Sequence, residues 1–118
     1  MKGRSSLDYL EDIRREAERA RRFLGSAALR DLEQDGRTAY AVVRCLELIG
    51  EAATQVSPNI RERFPNVPWR AMTGIRNKLI HGHLTVDLTI VFETVVNDLP
   101  KLLPQIDAMP AALRTEEP

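Results

Sequence analysis

Apolar residues recur every three or four positions along most of this chain, and no stretch alternates apolar with polar between turn residues. That periodicity predicts helices packed on helices. At 118 residues the chain is long enough to bury one core and too short for two. The expected architecture is therefore an all-α bundle of four to five helices occupying residues 1–110, with 111–118 as a flexible tail.

The first stripe is Leu7, Leu10, Ile13, Ala17, Ala20 and Leu24, with Ser5 or Ser6 available as N-cap and Gly25 as stop. Its other face carries Arg14, Arg15, Arg19, Arg21 and Arg22. Such a face is able to touch RNA, but Glu11 with Arg15 and Glu18 with Arg22 form ordinary i,i+4 pairs, so a solvated face is the better account of it. Ser26 to Asp35 forms a short helix, and a longer one then carries Val42, Leu46, Ile49, Ala53 and Val56 inward until Pro58 closes it. Tyr40, Arg44, Glu47 and Glu51 fall on its opposite side, facing solvent, a partner subunit or a cleft.

Ser57 to Pro68 holds three prolines and reads as a connector. Pro68 suits the first turn of a helix whose apolar stripe is Trp69, Met72, Ile75 and Leu79, with Gly82 as a left-handed cap. A last helix begins near Asp87, turns Leu88, Val91, Val95 and Leu99 inward, and ends or kinks at Pro100 before a shorter run through Leu103 and Ile106.

Lys plus Arg equal Asp plus Glu at 17 each, so bulk charge does not draw the chain to nucleic acid. Any RNA binding needs a local patch or a surface shared between subunits. No run approaches the roughly 18 apolar residues of a membrane span, and the first residues lack the apolar core of a signal peptide. No membrane association and a cytoplasmic location are expected. The single Cys45 permits no internal disulfide or multi-cysteine metal site and sits in an apolar pattern, where a buried thiol is common.

Chemistry concentrates in Arg76-Asn77-Lys78-Leu79-Ile80-His81-Gly82-His83, which holds both histidines of the chain. On an ideal helix Asn77 and His81 share a face, while Arg76 lies about 140° from His81. Arg76 then serves the same phosphate only across a cleft edge or from a second subunit. An imidazole in the last helical turn meets the negative end of the helix dipole, which favours protonation and suits a general acid. Attack of an RNA 2′-hydroxyl on its own phosphate needs proton transfer and a cation, for which His81 and Arg76 are fitting groups, with Asn77 positioning either. A solvated helix end explains the same residues without chemistry. His81 and His83 do not make a plausible metal site, having only Asp87 as a nearby carboxylate, and no cofactor is expected.

Leu48-Ile49-Gly50-Glu51-Ala52-Ala53, Val67-Pro68-Trp69, Gly74 to Gly82 and Asn97-Asp98-Leu99-Pro100 together resemble the HEPN superfamily, and within it the HepT-like toxins encoded beside a minimal nucleotidyltransferase antitoxin. The resemblance spans nearly the whole chain. It implies an antiparallel helical bundle pairing into a homodimer, with Arg76 and His81 of the R-x-x-x-x-H motif meeting across a shared cleft as a metal-independent ribonuclease. Its implied partners are an RNA substrate and the cognate nucleotidyltransferase antitoxin. HepT-like members commonly continue to R-x-x-x-x-H-x-Y, the tyrosine being where the antitoxin attaches adenylate; here that position is His83, so control through a phenol is absent at this site. His83 is either a second proton-transfer group or a solvated histidine. Glu51, in the Gly-Glu-Ala segment, is a candidate to orient Arg76 through an ion pair. Two other readings stay open: a non-catalytic companion that holds nucleotide or substrate for a nucleotidyltransferase, and a pure oligomerisation module.

Overall fold

The computed structural model describes residues 3–81 and 85–115. Helix α1 (Ser6–Leu24) starts at a capping box: the Ser5 hydroxyl accepts from the Asp8 N–H at 3.3 Å, and the Asp8 carboxylate accepts from the Ser5 N–H at 2.9 Å. It stops at Gly25, whose φ of 57° is easiest for a residue without Cβ. After the short α2 (Leu29–Gln34), α3 (Gly36–Gln55) is capped by Asp35, whose carboxylate accepts from the Arg37 and Thr38 N–H groups at 3.1 and 3.2 Å. Ser57 then caps α4 (Pro58–Arg63), so the proline expected only to close the preceding helix also occupies the first position of a short one.

α1 and α3 run antiparallel. The Ser57 N–H, just beyond the end of α3, donates at 3.1 Å to the Ser6 hydroxyl at the start of α1. Buried Ala17, Ala20, Ala52 and Ala53 keep the helix faces narrow, and this is the most extensive helix–helix contact among the described residues. Glu16 is buried between them at 4% exposure, a placement tolerated because Arg19 and Arg15 approach its carboxylate at 2.9 and 3.4 Å. Burial, reinforced by Glu16, pushes the Cys45 thiol up to about 11.

A third rod comprises α7 (Leu88–Glu93), a wide π turn at Thr94–Asp98, and α8 (Leu99–Thr115). Val95, Val96 and Pro100 lie near the end of α1, and Ile106 and Pro110 near its beginning, so this rod is also antiparallel to α1. Leu10, Ile13, Leu46, Ile49, Val91, Ile106 and Met109 form the centre of one continuous core.

The helix does not end at Pro100. In strict α register the proline ring would press on the Val96 carbonyl, and the wider turn immediately before it shifts the backbone where that clash would fall. Thr94 assists by donating its hydroxyl to the Ile90 carbonyl at 2.7 Å, a bond that bends helices. The helix runs on past Pro110 to Thr115 with Leu113 buried. The expected four to five helices thus become three rods and several short pieces, because the prolines of the connector and a break at Gly74 divide the middle of the chain. Among the described residues no helix is long and apolar enough to cross a membrane.

Candidate functional site

The predicted stripe Trp69, Met72, Ile75 and Leu79 is buried, but its helix is not continuous. Gly74, at φ −93° and ψ 5°, separates α5 (Trp69–Thr73) from α6 (Ile75–Leu79). Trp69 anchors the start by donating its indole N–H to the Phe64 carbonyl at 3.0 Å. Gly50 of α3 sets the distance to these two turns: a Cβ there would fall 2.8 Å from Ile75 Cγ2 and 3.0 Å from the Met72 carbonyl oxygen. Only a residue without a side chain lets α3 come this close. Held from beneath by Ile75 and Leu79, α6 turns Arg76, Asn77 and Lys78 outward, all three exposed.

α6 closes before His81. Ile80 is already extended, with φ −91° and ψ 120°, and its N–H bonds to the Arg76 carbonyl. Ile80–His81 forms strand β1, paired antiparallel with β2 (Thr85–Val86) so that Ile80 faces Val86 and His81 faces Thr85. The Asp87 N–H then donates to the Leu79 carbonyl at 2.8 Å, while the Asp87 carboxylate caps α7 through the N–H groups of Thr89 and Ile90 at 3.1 and 3.2 Å. Two expectations change. His81 is not in the last turn of a helix, so the dipole argument for its protonation loses its premise, and the Arg76 and Leu79 carbonyls at that end are already bonded. The angular estimate for Arg76, Asn77 and His81 also lapses, because the chain leaves the helix at Ile80. Gly82, the expected left-handed cap, and His83 lie outside the described residues.

Arg76 and His81 are therefore presented by consecutive elements, a five-residue helix and the strand that follows it. Arg76 has no ion-pair partner among the described residues. Glu51 does not reach it within one chain; its carboxylate is 65% exposed and lies 3.8 Å from Arg44 on the same helix. The reason is rotation: Gly50 faces α5 and α6, and the next residue is turned about 100° around the helix, toward a shallow groove shared with Arg4 and Asp12 of α1. Tyr40 is 83% exposed on the outer side of α3 with Arg44.

The arginine face of α1 sorts itself by pairing. Arg14 bridges Glu11 and Glu18, Arg15 meets Asp12 and Arg19 meets Glu16, a different set from the expected Glu11–Arg15 and Glu18–Arg22. Arg21 and Arg22 keep no carboxylate partner among the described residues. Asp12 is held below the usual carboxylate range: partial burial pushes it up, but hydrogen bonds from Arg4 and Arg15 outweigh that. Sequence reasoning gave no role to Lys78, Asp98 or Lys101, which line one cleft between α6 and the third rod; nothing in their spacing signals that they meet.

The described residues form an almost wholly helical domain that presents an exposed arginine on a short helix and, five residues on, a histidine on the strand that follows. The chain is a member of the ribonuclease HepT-like family, whose model matches residues 13–109. Among its relatives is a protein of Thermococcus cleftensis named "Probable ribonuclease HepT", 39% identical over 99 residues, 84% of this chain and 90% of that one. A Methanocaldococcus jannaschii protein named a "Putative RNase" is 35% identical over 99 residues, 84% of this chain and 91% of its own. Another so named, from Caldanaerobacter subterraneus, is 36% identical over 98 residues, 83% and 88% respectively. No solved structure matches the chain.

Proposed function

We infer that the chain is a metal-independent endoribonuclease, the toxin of a toxin–antitoxin pair, which works as a HEPN-type homodimer and is neutralised by a cognate minimal nucleotidyltransferase. The observation that supports this most is Arg76: an exposed cation without a carboxylate partner among the described residues, presented on a helix that leads directly into the strand bearing His81 in a HepT-like ribonuclease. A guanidinium held this way stabilises charge gathering on a phosphate as it becomes five-coordinate. His81 serves as the proton-transfer group for the 2′-hydroxyl or the 5′-leaving oxygen. The cleft is shared, each site drawing Arg76 from one subunit and His81 from the other. Sharing supplies the local positive charge that a neutral chain lacks in bulk. Asn77 and Glu51 act as supporting residues; in the dimer Glu51 is available to the second subunit, being exposed in the first.

The test is cleavage of labelled RNA in excess EDTA by folded, dimeric wild-type, Arg76→Ala and His81→Ala proteins. Wild type cuts, and each variant falls by about a hundredfold or more. Mixing the two inactive variants restores part of the activity, because a mixed dimer assembles one intact site. Cleavage by neither variant nor wild type on any RNA moves the reading to its rival, a companion that holds nucleotide for a nucleotidyltransferase. That rival is favoured by one residue, His83 in place of the modifiable tyrosine.

A further inference from the structure

Between α5–α6 and the third rod lies a cleft of about 520 Å³, within the roughly 300–1,000 Å³ of small-molecule sites. Its floor is apolar, made by Ile49, Met72, Ile75, Leu99 and Leu102. Its two walls run antiparallel: at one end Gln105 Nε2 donates to the Asn66 carbonyl at 3.0 Å and ties the walls together. The other end, toward Thr94, Asp98 and Lys78, is the one nearer the chemistry along the chain: Lys78 stands on the same short helix as Arg76, turned about 200° from it, and three residues before His81. Lys78 and Lys101 are exposed and, like Asp98, make no ion pair among the described residues. Asp98 sits in the π turn, and such turns gather at functional sites because the wider backbone re-aims side chains.

An apolar slot with cations at its edge and one carboxylate acceptor matches a nucleobase with its phosphate. We propose that this cleft is the base-selecting subsite of the ribonuclease: it takes one nucleobase of the RNA, with the adjoining phosphate on Lys78 and Lys101 and an exocyclic amine of the base donating to Asp98. The inference rests on the ribonuclease reading above and adds what that reading leaves open, the choice of cleavage position. The apolar floor receives any base by dispersion, with Met72 among the side chains that form it. Discrimination falls to Asp98, because a carboxylate accepts from the amines of adenine, cytosine or guanine, whereas the Watson–Crick edge of uracil offers a single N–H between two carbonyls. Cleavage is thus expected beside amine-bearing bases rather than within uridine runs.

The experiment titrates AMP, CMP, GMP and UMP into the wild-type protein while following the methyl resonances of Met72, Ile75 and Leu102, and separately maps cleavage of a mixed-sequence RNA. The expected result is that the amine-bearing nucleotides shift these methyls and bind about tenfold more tightly than UMP, that Asp98→Asn erases the difference, and that Ala71→Phe, on the exposed lip of the cleft, blocks binding without unfolding the protein. Arg76→Ala keeps the nucleotide response, so binding at the cleft is read independently of cutting. If RNA is cleaved but no nucleotide moves the cleft methyls and Ala71→Phe keeps the wild-type cleavage map, the subsite is overturned and the ribonuclease reading stands. If nucleotides bind as described and no RNA is cut, the base-binding cleft stands as a nucleotide site and its assignment to a ribonuclease falls.

Discussion

Replacing Gly50 by alanine tests whether the contact of α3 with α5 and α6 positions Arg76. Two effects of opposite sign meet at this residue. In a helix interior alanine is favoured over glycine by about 1 kcal/mol. Against that, the new methyl would stand 3.0 Å from the Met72 carbonyl and 2.8 Å from Ile75 Cγ2, and overpacking of a filled interior costs typically ~1–3 kcal/mol. The Ile75 methyl belongs to a buried side chain and the Met72 oxygen to the backbone, so neither yields without moving the short helices. Gly36, the first residue of α3, has nothing within 4 Å of where its Cβ would be. Gly36 stands in the first turn, where the interior propensity gain applies only in part, so Gly36→Ala serves as a control that adds a methyl to the same helix without a new contact. Urea denaturation should find Gly36→Ala at or slightly above wild type and Gly50→Ala below wild type by up to about 2 kcal/mol, the overpacking cost less the interior propensity gain. RNA cleavage by Gly50→Ala should fall further than its stability loss explains, because the displaced element carries Arg76. Equal stability of the two variants, with normal cleavage by both, would refute the idea that this close approach sets the site.

Arg76→Ala should leave the unfolding midpoint within about 0.5 kcal/mol of wild type, as expected for an exposed side chain without a partner, while cleavage drops by about two orders of magnitude; a matching loss of both would make the residue structural. Cys45, raised to about 11 by burial and then by Glu16, should resist a thiol reagent at pH 8 in the native protein and react at the rate of unfolding, so prompt labelling of folded protein contradicts its placement. Glu11, Asp12 and Asp35 are all held below their ordinary values, by Arg14, by Arg4 and Arg15 against partial burial, and by Thr38 respectively. Depressed carboxylates contribute stability that is present above their unfolded pKa and lost as pH falls through the folded one. Acid titration should therefore show stability declining from just above pH 4 downward, and Asp12→Asn together with Asp35→Asn should flatten that decline. Glu51→Gln should change monomer stability by less than about 0.5 kcal/mol, since its contact with Arg44 is exposed and long; a loss of cleavage alone would place its partner in the second subunit.

What the sequence revealed most readily were the local signals. Ser5 with Asp8, Gly25, Asp35, Pro58 and Asp87 each act on backbone groups within a few residues, and each begins or ends an element near where the pattern put it. The break at Gly74 was hidden because Trp69, Met72, Ile75 and Leu79 keep helical spacing across it, and burial alone sets that spacing. At Pro100 an end or a kink was legible, and what the local sequence left open was that the chain widens by a π turn beside α1 and continues. At the site, Arg76 and His81 were identified by motif and their order along the chain. That Lys78, Asp98 and Lys101 line one cleft spans about twenty residues and has no period to betray it, and the Gly50 contact is a matter of ångströms between elements.

Asp87 joins two structures through one residue. Its N–H closes the end of α6 on Leu79, and its carboxylate caps the start of α7. The paired strands Ile80–His81 and Thr85–Val86 therefore lie beside two helix ends that one residue ties to each other. Unwinding the first turn of α7 would free the Asp87 carboxylate and loosen the bond to Leu79 with it. A disturbance that begins in α7 would thus reach the strand that carries His81 through the backbone of Asp87.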